Sequence, residues 1–196
     1  MSVLKEMGTP VFMAEGVPRI DMANYTLKIS GLVESEHEFG WDEIMQLPKS
    51  CLNARLTSVS GWSVRADWDG IRWKEFLKIV LPKPEATHAT FIGYGRVYTT
   101  TVPLTELAAP RVMLVYGVAC EPIEAEYGGP LRMLIPNLYG YKSCKWLTWI
   151  NFTDHMQGGY WEDRGYSRSG IIEPGITFDL NSKTYREIKG GEVLGF

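Results

Sequence analysis

Short apolar runs separated by glycine, proline and polar residues dominate this chain, and they limit the folds open to it. The clearest run is YTLKISGLV at residues 25–33, where apolar and polar residues alternate with the period of a half-buried strand. The same criteria predict further strands at residues 52–59, 89–94, 97–102, 112–118, 131–135 and 146–152.

Helical spacing is much rarer in this sequence. In residues 70–82, one face of a predicted helix collects four apolar residues, namely Trp73, Phe76, Leu77 and Val80. Pro82 ends that helix, and a second short helix is expected around residues 42–46. Because strands do not alternate regularly with helices, the sequence predicts an α+β fold with mixed or antiparallel sheets and short helices. Residues 170–196 are expected to form a tail of loop with one hairpin.

Composition and charge narrow the functional classes. The 196 residues are 45% hydrophobic, which is enough for one buried core, so residues 1–196 are predicted to form a single domain. A formal net charge of −3 gives no basic surface for nucleic acid. No apolar run reaches the roughly 18 residues that cross a bilayer, and residues 1–16 lack the apolar centre of a signal peptide. We therefore expect no nucleic-acid partner, no membrane segment and a cytoplasmic location, where three cysteines without CxxC spacing suit reducing conditions.

The stretch TSVSGWSVRADWDG at residues 57–70 places a serine at the end of a predicted strand. Ser58 does not lie in a G-x-S-x-G motif and has no obvious histidine to activate it, which disfavours a serine hydrolase. Trp62, in the turn that follows, is a candidate wall of a site. Arg65 is a candidate for holding an oxyanion substrate, and surface pairing with a nearby aspartate is the alternative.

The segment YGGPLRMLIPNLYGYKSCKW at residues 127–146 combines a tight turn with a loop rich in hydrogen-bond donors. The Gly-Gly-Pro turn places Arg132 at the start of an apolar strand. Residues 139–143 then offer backbone N–H groups, a hydroxyl and nearby lysines, a combination that can form an anion-binding nest. A glycine-rich hairpin with surface lysines is the alternative, because the loop has neither the Walker pattern nor G-x-G-x-x-G.

A metal site built from histidine and carboxylate side chains is disfavoured. Asp154 and His155 precede Glu162 and Asp163 by only a few residues. Their spacing matches no standard ligand set, so the sequence predicts no such centre.

Taken in order, five segments resemble the sulfite-oxidase-type molybdopterin-binding oxidoreductases, in particular the small bacterial members that consist of the catalytic domain alone. The segments are DMANYTLKISGLVE (21–34), TSVSGWSVRADWDGIRWKEFL (57–77), GYGRVYTTTVPLTEL (93–107), GGPLRMLIPNLYGYKSCKW (128–146) and GGYWEDRGY (158–166). The resemblance covers about residues 18–168 and implies an α+β fold with one molybdenum–molybdopterin cofactor. It also implies two-electron, oxygen-atom-transfer chemistry on a small oxyanion or sulfoxide-like substrate, with a separate redox partner such as a cytochrome.

The resemblance further implies which residues form the site. In relatives a cysteine thiolate ligates the metal at the strand end before the V-x-GWS turn, and here that position is Ser58. Relatives often carry a histidine before G-x-P-L-R, where this chain has Tyr127. Together with catalytic Ser58 and Arg65, the implied cofactor-binding residues are Trp62, Tyr94, Tyr127, Arg132, Tyr141, Lys142, Ser143 and Lys145.

Serine at position 58 leaves three interpretations open. In the first, the protein is an oxidoreductase in which the Ser58 oxygen ligates molybdenum, although a serine oxygen is harder than a thiolate and ionises less readily. In the second, it is a molybdopterin-binding or interaction protein that has lost redox function. In the third, the serine was introduced deliberately to disable the site. Cys144 is the only other nearby thiol, and we expect it to be a buried apolar residue.

Overall fold

The computed structural model describes residues 3–12 and 16–196. Its strands are β1 (Thr26–Gly31), β2 (His37–Gly40), β3 (Ser50–Ser58), β4 (Trp62–Arg72), β5 (His88–Gly93), β6 (Thr99–Pro103), β7 (Met113–Val118), β8 (Glu121–Pro122), β9 (Arg132–Leu134), β10 (Leu147–Thr153), β11 (Gly175–Asp179) and β12 (Thr184–Ile188). Its α-helices are α1 (Val3–Glu6), α2 (Trp41–Ile44), α3 (Trp73–Val80) and α4 (Leu104–Leu107). Five 3₁₀ turns complete the described elements: Met22–Asn24, Tyr94–Arg96, Ala125–Tyr127, Gly140–Lys142 and Glu162–Arg164.

The strands form two sheets with mixed connections. One sheet has the order β2-β1-β10-β5-β6, in which only β1 and β10 run parallel. The other has the order β12-β11-β4-β7-β8, with β3 paired along β4 and β9 paired with β7. The few short helices and mixed sheets confirm the predicted α+β class. No helix among the described residues is both long and apolar enough to span a membrane.

The principal core joins α3, the five-stranded sheet and buried residues of β7 and β9. Trp73 and Phe76 are fully buried, and the Trp73 ring lies 5.6 Å from the Phe91 ring and 6.0 Å from the Phe152 ring, centroid to centroid. The buried stripe predicted for this helix is therefore correct for Trp73, Phe76 and Val80. A second core packs α1 against the sheet that contains β3, β4 and β7.

The region after Ser58 differs from its prediction. Residues 62–72 are one long strand, β4, and the helix begins only at Trp73. The sequence carries the signal for this strand, because apolar and polar residues alternate from Trp62 to Asp69. Trp62 therefore starts a strand rather than lying within the turn, and β3 and β4 form a hairpin with nine register pairs that ends at Ser58 and Trp62. The predicted hairpin of the C-terminal tail is present as β11 and β12.

Candidate functional site

Ser58 lies at the tip of the β3–β4 hairpin. Its Oγ accepts a hydrogen bond of 3.1 Å from the backbone N–H of Ser60, and its carbonyl oxygen accepts one of 3.1 Å from Gly61. Gly61 has a φ of 82°, a left-handed conformation that glycine adopts without steric cost. The tight turn fixes Ser58 at a partly buried position facing a cavity.

This cavity has a volume of about 390 Å³ and lies between the hairpin tip, residues 9–12, residues 140–146 and residues 161–166. It brings together most of the residues that the sequence predicted for the site: Ser58, Trp62, Tyr127, Arg132, Tyr141, Ser143 and Lys145. Among the described residues that line it, the charged ones are Arg132 and Lys145, and no carboxylate lines it. The cavity is therefore positively charged, with otherwise neutral walls.

Arg132 is only 2% exposed, and backbone carbonyl groups bind its guanidinium. It donates to the oxygens of Tyr127 at 2.6 Å, Met133 at 3.1 Å and Ser143 at 3.3 Å. Burial lowers the pKa of Arg132 to about 10, so the side chain remains cationic at neutral pH. It forms no ion pair with a carboxylate in the described part of the chain, which leaves a buried positive charge available to an anion.

Lys145 supplies the second cation. Its Nζ donates to the carbonyl oxygens of Phe12 at 2.9 Å and Glu126 at 2.8 Å. Burial, and then the charge of Arg132, lower the pKa of Lys145 to about 7. Gly128, with a φ of 110°, packs directly beneath this side chain, since a Cβ there would come within 2.8 Å of the Lys145 Cγ. The backbone at Gly128 thus packs closely against the Lys145 side chain.

The polar groups of the cavity fit a phosphate-bearing cofactor. A phosphate group binds cations whose charge is not already neutralised by a carboxylate, and Arg132 and Lys145 are two such cations. Thr9 also lines the cavity, and its Oγ1 is buried without a hydrogen-bond partner. Buried hydroxyls are normally hydrogen-bonded, so this atom has the capacity for a ligand. Ser58 fits less well, because a thiolate is the softer and more readily ionised metal ligand.

An aromatic wall closes part of the cavity, and the sequence interpretation did not include most of it. The Trp161 ring lies 5.4 Å from Phe12 and 4.8 Å from Tyr166, and the Tyr166 ring lies 5.3 Å from Tyr141. Tyr98 also lines the cavity and donates a hydrogen bond of 2.5 Å to the Tyr141 carbonyl. The segment GGYWEDRGY already belonged to the resemblance and could have indicated Trp161 and Tyr166. Phe12 lies in an irregular segment without periodicity, so no sequence pattern indicated it.

Two predicted site residues lie outside this cavity. Tyr94 is 42% exposed and lines a separate cleft with Arg96 and Trp149. Arg65 donates to Asn53 Oδ1 at 3.0 Å and to the carbonyl oxygens of Leu194 and Phe196, both at 2.9 Å. Neither residue lines the cavity that contains most of the other predicted site residues. The alternative pairing of Arg65 with a nearby aspartate is absent from the ion pairs of the described residues as well.

Lys142 also has a different environment from the predicted one. Its Nζ lies 2.5 Å from Glu162 Oε1 and donates to the Thr101 carbonyl at 3.0 Å. The side chain is fully buried and does not line the cavity, because its partners lie on β6 and on the segment that follows Trp161. Its charge is thus already neutralised within the protein.

The structure does not assemble a conventional metal centre from the candidates in sequence. Asp154 and His155 form an exposed pair at 2.6 Å, whereas Glu162 is buried against Lys142. Across residues 3–12 and 16–196, no group of three or more histidine, cysteine, aspartate or glutamate side chains could hold a metal ion. Cys144 is fully buried and does not line the cavity, as expected for an apolar role.

Comparisons with known proteins match this chain to one family. The sequence profile described as the oxidoreductase molybdopterin binding domain matches residues 14–161, which is most of the chain. The chain is similar to the uncharacterized oxidoreductase YuiH of Bacillus subtilis, with 33% identity over 164 residues, 82% of each protein.

Two further similarities come from longer proteins. A putative protein-methionine-sulfoxide reductase subunit, YedZ1 of Azospira oryzae, is 31% identical over 154 residues, which are 79% of this chain and 58% of that protein. The crystal structure of the sulfane dehydrogenase SoxCD from Paracoccus pantotrophus superposes with a TM-score of 0.69 at 17% identity. That match covers 90% of this chain and 47% of the other, and it shows a shared fold. The chain thus spans less than two thirds of the length of either protein.

Proposed function

Since this chain belongs to the oxidoreductase molybdopterin binding domain family, we propose that it is a molybdenum-cofactor oxidoreductase acting on a small sulfoxide-type substrate. Its reaction would transfer an oxygen atom to or from that substrate with a two-electron change. The observation that carries the proposal is the cavity, in which a buried pair of cations is combined with an aromatic wall.

The cofactor implied by the family is a molybdenum–molybdopterin, which supplies the two-electron redox chemistry when bound. Arg132 and Lys145 would hold its phosphate, with the Thr9 hydroxyl as a further donor. Both cations donate hydrogen bonds to backbone carbonyl groups, so their positions are fixed before an anion binds. Such preorganisation lowers the cost of binding.

Ser58 occupies the position that the resemblance assigns to the metal ligand. A serine oxygen there would be a hard, weakly acidic donor in place of a thiolate. The hydrogen bond from the Ser60 N–H to the Ser58 Oγ favours an oxygen that carries partial negative charge.

The walls favour a neutral substrate over an anionic one. Both cations among the described lining residues are assigned to the phosphate, and the remaining walls include the apolar faces of Trp62, Trp161 and Tyr166. An oxyanion such as sulfite would need a cationic partner of its own. Arg65, the sequence candidate for that role, has its hydrogen bonds satisfied elsewhere. A sulfoxide presents one polar oxygen and an apolar remainder, which suits these walls.

Electrons would come from a separate redox partner, such as a cytochrome. The chain is similar to a protein named as a reductase subunit, which supports an enzyme whose substrate site and electron source lie in different chains. We therefore place substrate chemistry in this chain and electron delivery in its partner.

The decisive experiment is purification from a host that makes molybdopterin. Molybdenum is quantified by mass spectrometry, and the pterin by fluorescence after oxidation. Reduction of methionine sulfoxide with a viologen donor is then compared with oxidation of sulfite by ferricyanide. We expect cofactor and sulfoxide turnover. Absence of both metal and pterin would overturn the cofactor assignment, and faster sulfite turnover would overturn the substrate class.

A non-catalytic molybdopterin-binding protein is the second candidate. It is favoured by one observation, the alcohol in place of a thiol at position 58. In that case the cation pair would still bind the phosphate, and the purified protein would contain pterin but neither molybdenum nor sulfoxide reductase activity.

A further inference from the structure

A buried ion pair adjoins the aromatic wall, because Glu162 directly follows Trp161 in the chain. Lys142 and Glu162 have side chains that are 0% and 1% exposed, and the Nζ–Oε1 distance is 2.5 Å. The Thr100 hydroxyl donates to the same carboxylate oxygen at 2.6 Å, and the Thr101 carbonyl accepts from Lys142 at 3.0 Å. Both charged side chains are therefore attached to one strand, β6.

Each member of this pair adjoins a segment that lines the cavity. Lys142 ends the 3₁₀ turn that presents Gly140 and Tyr141 to the cavity. Glu162 begins the next 3₁₀ turn, immediately after Trp161. The pair thus connects the segment that continues into Ser143 and Lys145 with the segment that carries the aromatic wall.

The wall segment makes a second contact with the same loop. The Tyr141 hydroxyl donates a hydrogen bond of 2.7 Å to the Ser167 carbonyl, and the Tyr141 ring packs edge-on against Tyr166 at 5.3 Å. Residues 161–167 are consequently held at their start by Glu162 and at their end by Tyr141. Trp161 also has ring contacts with Phe12, Tyr160 and Tyr166, and the Tyr160 N–H donates to the Thr99 carbonyl at 2.8 Å. The Glu162 side chain adds a charged attachment to these contacts.

The pair is not optimised for stability alone. Burying two charges costs desolvation energy that a well-packed apolar pair avoids. The second carboxylate oxygen of Glu162, Oε2, is buried without any hydrogen-bond partner. Directional charge interactions do, however, fix the relative position of two loops more strictly than apolar contacts, which tolerate sliding.

We propose that Lys142 and Glu162 are positioning residues that hold Trp161 and Tyr166 against the cavity, and that Lys142 does not bind the cofactor phosphate. The consequence for substrate access depends on the proposed sulfoxide chemistry. The placement of the wall does not, and it can be measured without turnover.

The test replaces the pair in the full chain, purified from a host that makes molybdopterin. The double variant Lys142→Met/Glu162→Leu removes both charges with side chains of similar size, and Glu162→Gln keeps the hydrogen bonds but removes one charge. Glu192→Gln is the matched control, because the Arg111–Glu192 pair, at 2.7 Å, does not line the cavity. The protein is labelled with 5-fluorotryptophan, and the Trp161 fluorine resonance is assigned with Trp161→Phe.

We expect the Trp161 resonance to shift or broaden in the double variant and, to a smaller extent, in Glu162→Gln, while Glu192→Gln leaves it unchanged. Pterin content should remain within about twofold of the parent protein, and KM for the sulfoxide should rise about tenfold with little change in kcat. An unchanged Trp161 resonance in the double variant would overturn the proposal. So would loss of pterin in the double variant but not in Glu162→Gln, which would make Lys142 a phosphate ligand. If no variant turns over sulfoxide, the resonance and the pterin content still decide the role of the pair.

Discussion

Arg132 and Lys145 line one cavity as two neighbouring cations, and main-chain carbonyl groups bind both of them in place of carboxylates. Burial, and then the positive charge of the neighbouring Arg132, lowers the pKa of Lys145, since an ammonium beside a guanidinium is disfavoured. A bound anion favours the protonated form of Lys145, so the positive charge of the site rises when an anion binds.

The first prediction concerns pH. With the pKa of Lys145 near 7, sulfate, which stays dianionic from pH 6 to 9, should bind cofactor-free protein more weakly by up to about tenfold per pH unit above 7. Isothermal titration calorimetry at several pH values measures this. Lys145→Met should bind weakly at every pH, and a parent protein with pH-independent sulfate affinity would contradict the assignment.

The same lysine affects the stability of the cofactor-free protein. Its folded pKa lies below the unfolded value of 10.5, so the unfolded chain binds more protons between these values. The free energy of unfolding should therefore rise from pH 7 to pH 10 through this group. Urea unfolding compares the parent protein with Lys145→Met, in which the slope should be smaller.

The second prediction is that Ser58→Cys raises both the molybdenum-to-pterin ratio and sulfoxide reductase activity. A thiolate is the softer ligand, and the hairpin tip presents residue 58 to the cavity regardless of its side-chain donor atom. Elemental analysis, pterin fluorescence and a viologen-linked assay measure the gain. Ser58→Ala is the control: if it retains as much molybdenum and activity as the parent protein, the side chain at position 58 is not a ligand.

The third prediction separates two arginines. Arg132→Gln should lower pterin content at least about tenfold, because a charge-assisted phosphate contact is lost, and should reduce stability by about 1–3 kcal/mol through unsatisfied carbonyl groups. Arg65→Gln should leave pterin content within about twofold of the parent, since Arg65 does not line the cavity. Equal losses in the two variants would show that pterin content follows stability alone.

The fourth prediction concerns acid unfolding. Burial by itself raises the pKa of Asp179, but hydrogen bonds from Arg55, Ser182 and Asn181 outweigh it and lower the pKa to about 2. The carboxylate therefore contributes about 2 kcal/mol above its unfolded pKa of 3.8, and this contribution is lost as the pH falls from 4 to 2. Asp179→Asn should flatten that part of the stability profile, measured by urea unfolding. An unchanged profile would remove Asp179 from the account of acid sensitivity.

Local patterns predicted much of the fold. Period-two alternation indicated β1, and helical spacing indicated α3, because both place one face in the core. The β4 strand was missed because Trp62 was interpreted through the turn before it, although the alternation from residues 62 to 69 was present. Sheet order was beyond the sequence, since pairings such as β1 with β10 join residues more than 100 positions apart.

The sequence predicted the site residues that cluster in one segment. It failed for residues whose side-chain direction depends on contacts elsewhere in the fold. Arg132 and Lys145 lie in one continuous motif, and both line the cavity. Lys142 lies in the same motif, but its side chain points to β6 because Glu162, which is distant in sequence, neutralises it. Arg65 alternates away from the cavity along β4, and its partners at residues 194 and 196 had no sequence signal.

Nine register pairs of the β3–β4 hairpin determine where residue 58 lies, and none of them involves its side chain. The strand pairing therefore presents residue 58 at this point whichever donor atom its side chain carries. A Ser58→Cys substitution would exchange oxygen for sulfur without altering the register pairs of the hairpin. The chemistry offered at position 58 can therefore change while the fold stays the same.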